Sequence, residues 1–178
     1  MKIEVKKMVT LAVLAALSIV LMLFVRFPII PAAPYLIYEP AEVPILVGTF
    51  IFGPLAGLAI TFVVAAIQAS ALSTDGFVGF VMHMIATGTF VITAGLVYKK
   101  FHTLKGAIVA LVIGTLARTL VMIPANLIIQ STINGVPLEA IKNIIIPILI
   151  PFNLIKSGVN STITLIVYKT VSKIVRKI

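Results

Sequence analysis

Cysteine is absent from the 178 residues, which excludes disulfides, thiolate metal ligands and a cysteine nucleophile. Tryptophan is absent as well, and charge is scarce: 11% of residues carry one, and Asp and Glu together number only 5. A water-soluble domain has about 25% charged residues. So few charges cannot cover a water-facing surface, so lipid must be part of the solvent. Catalytic signatures are missing too. There is no G-x-x-x-x-G-K-[ST], H-E-x-x-H or G-x-S-x-G, and no pair of intramembrane carboxylates is apparent. The chain is therefore not read as an enzyme, and no catalytic or metal-binding residue is assigned. Neither a relay of Asp and Glu nor an inverted repeat of broken helices is visible, so no self-contained engine for transport is either.

Apolar residues fill that space: 61% of the chain is hydrophobic and the mean hydropathy is +1.22. A spanning helix needs about 20 predominantly apolar residues. The first run, Met8 to Val25, is long enough to span, and no small-residue cleavage site follows it, so it reads as a span rather than a removed signal. A stretch from Arg26 to Glu42 holds Pro28, Pro31, Pro34 and Pro40, which block regular helix and imply an ordered loop or lid. Val43 to Phe52 and Leu55 to Leu72 are parted by the turn signal Gly53-Pro54, giving two helices or one kinked helix. Phe77 to Tyr98 and Gly106 to Gln130 are the fourth and fifth runs. After the turn-rich Asn134-Gly135-Val136-Pro137 come a short amphipathic piece, Leu138 to Asn143, and the sixth run, Ile144 to Tyr168. The expected fold is all-α: one membrane-embedded domain over 1–178, a bundle of six transmembrane helices with a Pro-rich outer lid loop.

A net charge of +9 invites a nucleic-acid reading, but the placement of the charges argues against it. With six spans and the N-terminus inside, the cytoplasmic segments hold Lys2, Lys6, Lys7, Lys99, Lys100, Lys105 and the basic residues after Tyr168. The outer loops hold only Arg26 and Lys142 among basic residues. That bias is the positive-inside pattern and places both termini in the cytoplasm.

Ionisable groups inside a bilayer are costly and usually functional. Lys156 and Arg118 stand within apolar runs, accompanied by Asn126, Asn153 and Asn160. Asn153, Lys156 and Asn160 share one helix face by their i, i+3, i+7 spacing. Pro147 and Pro151 are expected to interrupt the helix just before them, as where a helix lines a cavity. Asn126, Asn153 and Lys156 fall at similar depth below the outer surface, and Glu42 enters from the same side. These residues predict a small-molecule pocket open to the outside and covered by the lid. Asn160 reads as an interhelical hydrogen-bonding residue, Arg118 as internally paired or snorkelling, and His83 as a packing residue. On the first helix Ala12 and Ala16, four apart, let another helix approach closely, either one of a partner or one within the bundle.

These features resemble the substrate-binding S component of energy-coupling factor (ECF) vitamin transporters, most closely the riboflavin-specific (RibU) type. The resemblance covers essentially the whole chain. Its most specific pieces are Phe27-Pro28 through Pro34-Tyr35-Leu36, Glu42-Val43-Pro44, Phe52-Gly53-Pro54, Ala86-Thr87-Gly88 with Tyr98-Lys99, Asn126, and Pro151-Phe152-Asn153-Leu154-Ile155-Lys156. It implies ligand contacts at Asn126, Asn153, Lys156, Leu36 and Thr74. It also implies docking through Ala12 and Ala16 on a transmembrane coupling subunit (EcfT-type) that carries two ABC-type ATPase subunits. Riboflavin, with FMN as a variant, would be the transported ligand rather than a cofactor. Two positions depart from the family pattern: Glu42 stands where Asp is usual, and His83 where Asn is frequent. Riboflavin is neutral and planar with a uracil-like edge that Asn amides and a Lys can match. Thiamin would call for a carboxylate or an aromatic cage. Pantothenate or biotin would suit Lys156 and Arg118. Those vitamins, a lipid-modifying enzyme and a structural membrane protein are the competing readings.

Overall fold

The computed structural model describes residues 2–71 and 76–175. Helix α1, Lys2–Phe24, turns most of its apolar side chains outward and buries a narrow stripe, Ala15, Ser18 and Met22, at i, i+3, i+7. Two short strands follow, β1 (Phe27–Pro28) and β2 (Ile37–Tyr38), paired antiparallel with Phe27 opposite Tyr38 and Pro28 opposite Ile37. The Pro-rich segment is thus a small hairpin rather than pure loop, a minor β addition to an otherwise all-α chain. Pro28 is tolerated because a two-residue ladder has edges on both sides.

Helix α2, Glu42–Phe52, is the centre of the bundle, with every residue from Glu42 to Phe50 buried. A helix apolar on nearly all sides can only be a core element. It touches α1, α3, α4 and α7. Gly53, at φ 92°, ends it in a conformation that side chains disfavour, and Pro54 opens α3 (Pro54–Ala71), where its missing N–H costs nothing. The two-helix reading of this segment therefore holds. A side chain at Gly57 would collide with Thr49 Oγ1, so glycine allows α2 and α3 to pack back to back.

Helices α4 (Gly76–Lys100) and α5 (Leu104–Thr132) form the largest interface, with α3 beside α4 and α7 beside α5. Thr103 caps α5 by accepting from the Gly106 N–H at 3.0 Å. Gly135, at φ 65°, turns the chain into α6, Leu138–Ile144. A π-helical turn, Ile145–Leu149, then leads directly into α7, Ile150–Val175. The expected interruption by Pro147 and Pro151 takes a milder form. The chain stays helical, and the widened π turn absorbs Pro147. Among the described residues five helices are long and apolar enough to cross a membrane, beside the short apolar α2. Their outward faces carry exposed large apolar residues such as Leu55, Phe77, Leu120 and Ile166, a surface that only lipid can cover. The chain is a multi-pass membrane protein.

Candidate functional site

At the hairpin end the helices part around a cavity of about 380 Å³, within the range of small-molecule sites. Leu36, Ile37 and Glu39 of the hairpin segment roof it. Gly79, Met82, His83, Ala86 and Thr87 line it from one face of α4, at the i, i+3, i+4 spacing that puts them together. Glu42 of α2, Gln68 of α3, Arg118 of α5, and Phe152 and Lys156 of α7 complete the wall, with Arg26 and Tyr35 from the hairpin segment.

The α7 stripe is real, and most of it grips the hairpin. Lys156 Nζ donates to Glu39 Oε1 at 2.6 Å and to the Ile37 carbonyl at 3.1 Å. Asn160 Nδ2 donates to Glu42 Oε2 at 2.9 Å, while its Oδ1 accepts from the Tyr38 hydroxyl at 3.1 Å. Burial, with Glu42 and Glu39 nearby, raises the Tyr38 phenol pKa above its ordinary value, which keeps it a donor. Asn153 Oδ1 accepts from Arg118 Nε at 3.3 Å, and the Arg118 guanidinium is ion-paired with Glu42. Thr87 Oγ1 adds a 3.1 Å bond to Glu42 Oε1. Glu42 is 1% exposed, Arg118 and Glu39 3%, and Lys156 6%, so both ion pairs are buried.

The residues singled out from the sequence thus separate. Lys156 and Leu36 face the cavity. Asn153 lies behind Arg118, with its Nδ2 on the Leu149 carbonyl at 2.9 Å. Asn126 is not among the lining residues; its amide donates to the Met122 carbonyl of its own helix at 2.8 Å. Thr74 lies outside the described residues. Ala12 and Ala16 are exposed and line an apolar groove between α1 and α3, with Ala15 and Ala59 beside them. Arg118 is paired internally, and Asn160 joins hairpin, α2 and α7. His83 lines the cavity as well as packing.

The expected absence of paired carboxylates within the bundle needs correction. Glu39, from the hairpin segment, is buried as the counterion of Lys156. Buried carboxylates are present after all, Glu39 and Glu42, each neutralised by a cation because an unpaired carboxylate could not remain there ionised. Sequence reasoning passed over Glu39, Gln68, Tyr38 and Thr87. A charge count would have found the first: two cations within apolar runs need two anions, and few acidic residues are available.

Fold and site together define an α-helical membrane protein with a hairpin-roofed cavity of small-molecule size. Residues 6–168 match the family described as ECF transporter, substrate-specific component, and the chain belongs to that family. It is similar to the riboflavin transporter RibU of Staphylococcus aureus (strain TCH60), at 31% identity over 97% of this chain and 94% of the relative. The riboflavin transporter FmnP of Bacillus subtilis (strain 168) is 29% identical over 93% of this chain and 91% of its own. Among solved structures, one described as "Structure and mechanism of the S component of a bacterial ECF transporter" superposes with a TM-score of 0.83. It is 32% identical and the match covers 97% of this chain and 98% of that one.

Proposed function

We propose that this chain captures riboflavin at the outer face of the cell membrane and carries it inward as the substrate-binding subunit of an ECF transporter. The observation that carries the reading is that the cavity's buried charges are paired within the protein, while Arg26, the third cation on its lining, is exposed. Two cations, Lys156 and Arg118, are matched there by two carboxylates, Glu39 and Glu42. A neutral ligand fits such a site. An anionic vitamin would have to compete with Glu39 or Glu42 for a buried cation, and a cationic one would find both carboxylates engaged. Leu36, Met82, Ala86 and Phe152 supply apolar surface for a planar ring. The relatives named as riboflavin transporters support the same ligand.

In this reading Lys156 and Leu36 touch the ligand, and Asn153 acts through Arg118. Asn126 reaches the ligand only if its amide leaves the Met122 carbonyl, and Thr74 is assigned from its place in the sequence alone. The groove holding Ala12 and Ala16 receives the helix of an EcfT-type coupling subunit, because small side chains permit close approach in lipid. Two ABC-type ATPases attached to that subunit supply the energy. The basic bias of the termini and of the segment from Lys99 to Lys105 puts both ends in the cytoplasm.

The test is a riboflavin titration of the purified protein in detergent, followed by flavin fluorescence. Quenching at micromolar ligand is expected, weakened about tenfold or more in Lys156→Ala. Binding of thiamin or biotin with no flavin bound would reassign the ligand. Failure to co-purify with an ATPase complex from the native membrane would remove the coupled-transport part.

A further inference from the structure

We infer that Gln68 and His83 form a hydroxyl-reading subsite on the α3–α4 side of the cavity, which holds the ribityl chain while the flavin ring lies against the apolar wall. The inference rests on riboflavin being the ligand, and it names two residues on the wall opposite the ion pairs. Glu39, Glu42, Thr87, Arg118 and Lys156 already bond to protein. Gln68 and His83 both line the cavity, yet Gln68 Oε1 and His83 Nε2 are buried with no hydrogen-bond partner among the described residues.

Buried polar atoms are paired in nearly every folded protein, and a pair left without partners in one cavity wall points to an occupant that supplies them. The terminal torsions of glutamine and histidine are broad and soft, so a small turn presents either atom to the cavity. The chemistry then narrows the group that binds. Gln68 Oε1 only accepts, so it needs a donor. His83 Nε2 donates or accepts according to tautomer. The uracil-like edge of the ring offers a single N–H donor, fixed in direction between carbonyl acceptors. Hydroxyls on neighbouring carbons offer both, and each can turn its hydrogen to suit. Gln68 stands in the last turns of α3 and His83 in the second turn of α4, both at the hairpin end, so an extended polyol can lie across the two helices.

The experiment compares riboflavin with lumiflavin, the same ring system bearing a methyl group in place of the ribityl chain. Both are titrated by fluorescence against the full chain and against Gln68→Met and His83→Leu, which remove the polar atoms at similar volume. The unaltered protein is expected to prefer riboflavin. Each variant should lose about tenfold in riboflavin affinity and change lumiflavin by less than about twofold, so that the preference shrinks. His83→Gln, which keeps a donor and an acceptor, should restore much of it. An unchanged riboflavin-to-lumiflavin ratio, whether both affinities fall together or neither moves, overturns the subsite and leaves the riboflavin reading standing. Absence of any flavin binding by the unaltered protein removes both.

Discussion

The α7 side of the cavity brings its charged and amide side chains onto partners within the protein, whereas the α3–α4 side leaves Gln68 Oε1 and His83 Nε2 without one among the described residues. Both sides contribute to the wall of the same cavity and both hold buried polar atoms, so burial alone does not explain the contrast. What differs is charge. Burying the charges of Lys156 and Arg118 without counterions would be costly, and the hairpin segment and the first turn of α2 supply those counterions. A neutral amide or imidazole tolerates a missing partner at far lower cost. The charged side therefore works as a clasp that seats the hairpin over the cavity. The neutral side keeps bonding capacity for what enters.

The largest effect that could break this comparison is Glu42→Ala. The change strands the Arg118 guanidinium in the bundle and removes the acceptor of Asn160 and Thr87. A loss of about 3–5 kcal/mol in stability is expected, measured as thermal unfolding in detergent. On the opposite wall, Gln68→Met should cost no more than about 0.5 kcal/mol, because it deletes an unpartnered atom rather than a bond. Equal losses at the two positions would erase the distinction between the walls.

How much of this could be read beforehand follows from the range of the interactions. The spans, the Gly53-Pro54 break, the short α6 and the shared face of Asn153, Lys156 and Asn160 are local, set by runs of apolar residues and by helical periodicity. Pairing of Lys156 with Glu39 joins positions 117 apart in the chain, and no spacing rule reaches that far. The amide of Asn126 shows a different limit. Helical position fixes the direction in which its Cα–Cβ bond points, but not whether the amide turns toward the cavity or back to the Met122 carbonyl four residues earlier. The hairpin is hard to read from sequence because its prolines, Pro28, Pro31 and Pro34, argue against a strand, and only two residue pairs form it.

A middle-sized effect sharpens the clasp itself. Lys156→Met leaves the Glu39 carboxylate buried and unpaired, with an expected loss of about 3 kcal/mol. Adding Glu39→Gln should recover most of it, since neither charge then remains to be compensated. Glu39→Gln alone loosens the hairpin, and ligand release from that variant, followed in a stopped-flow chase, should quicken. Non-recovery in the double variant would mean that Lys156 supports the fold by packing, for instance against the Phe152 ring 5.7 Å away, and not by charge.

The smallest effect isolates one neutral bond of the same clasp. Tyr38→Phe removes the hydroxyl that donates to Asn160 and should cost about 1 kcal/mol. Its pH dependence carries a sign. The phenol pKa is raised in the folded protein, so the contribution is fully present below the ordinary tyrosine value near 10 and is lost as the pH climbs through the raised value. The stability difference between wild type and Tyr38→Phe should therefore be flat from about pH 7 to pH 9 and shrink only in stronger alkali. A difference that already fades at about pH 8 would mean that the phenol is not enclosed with Glu39 and Glu42, and that the hairpin sits more loosely on α7 than its bonds to Asn160 and Lys156 require.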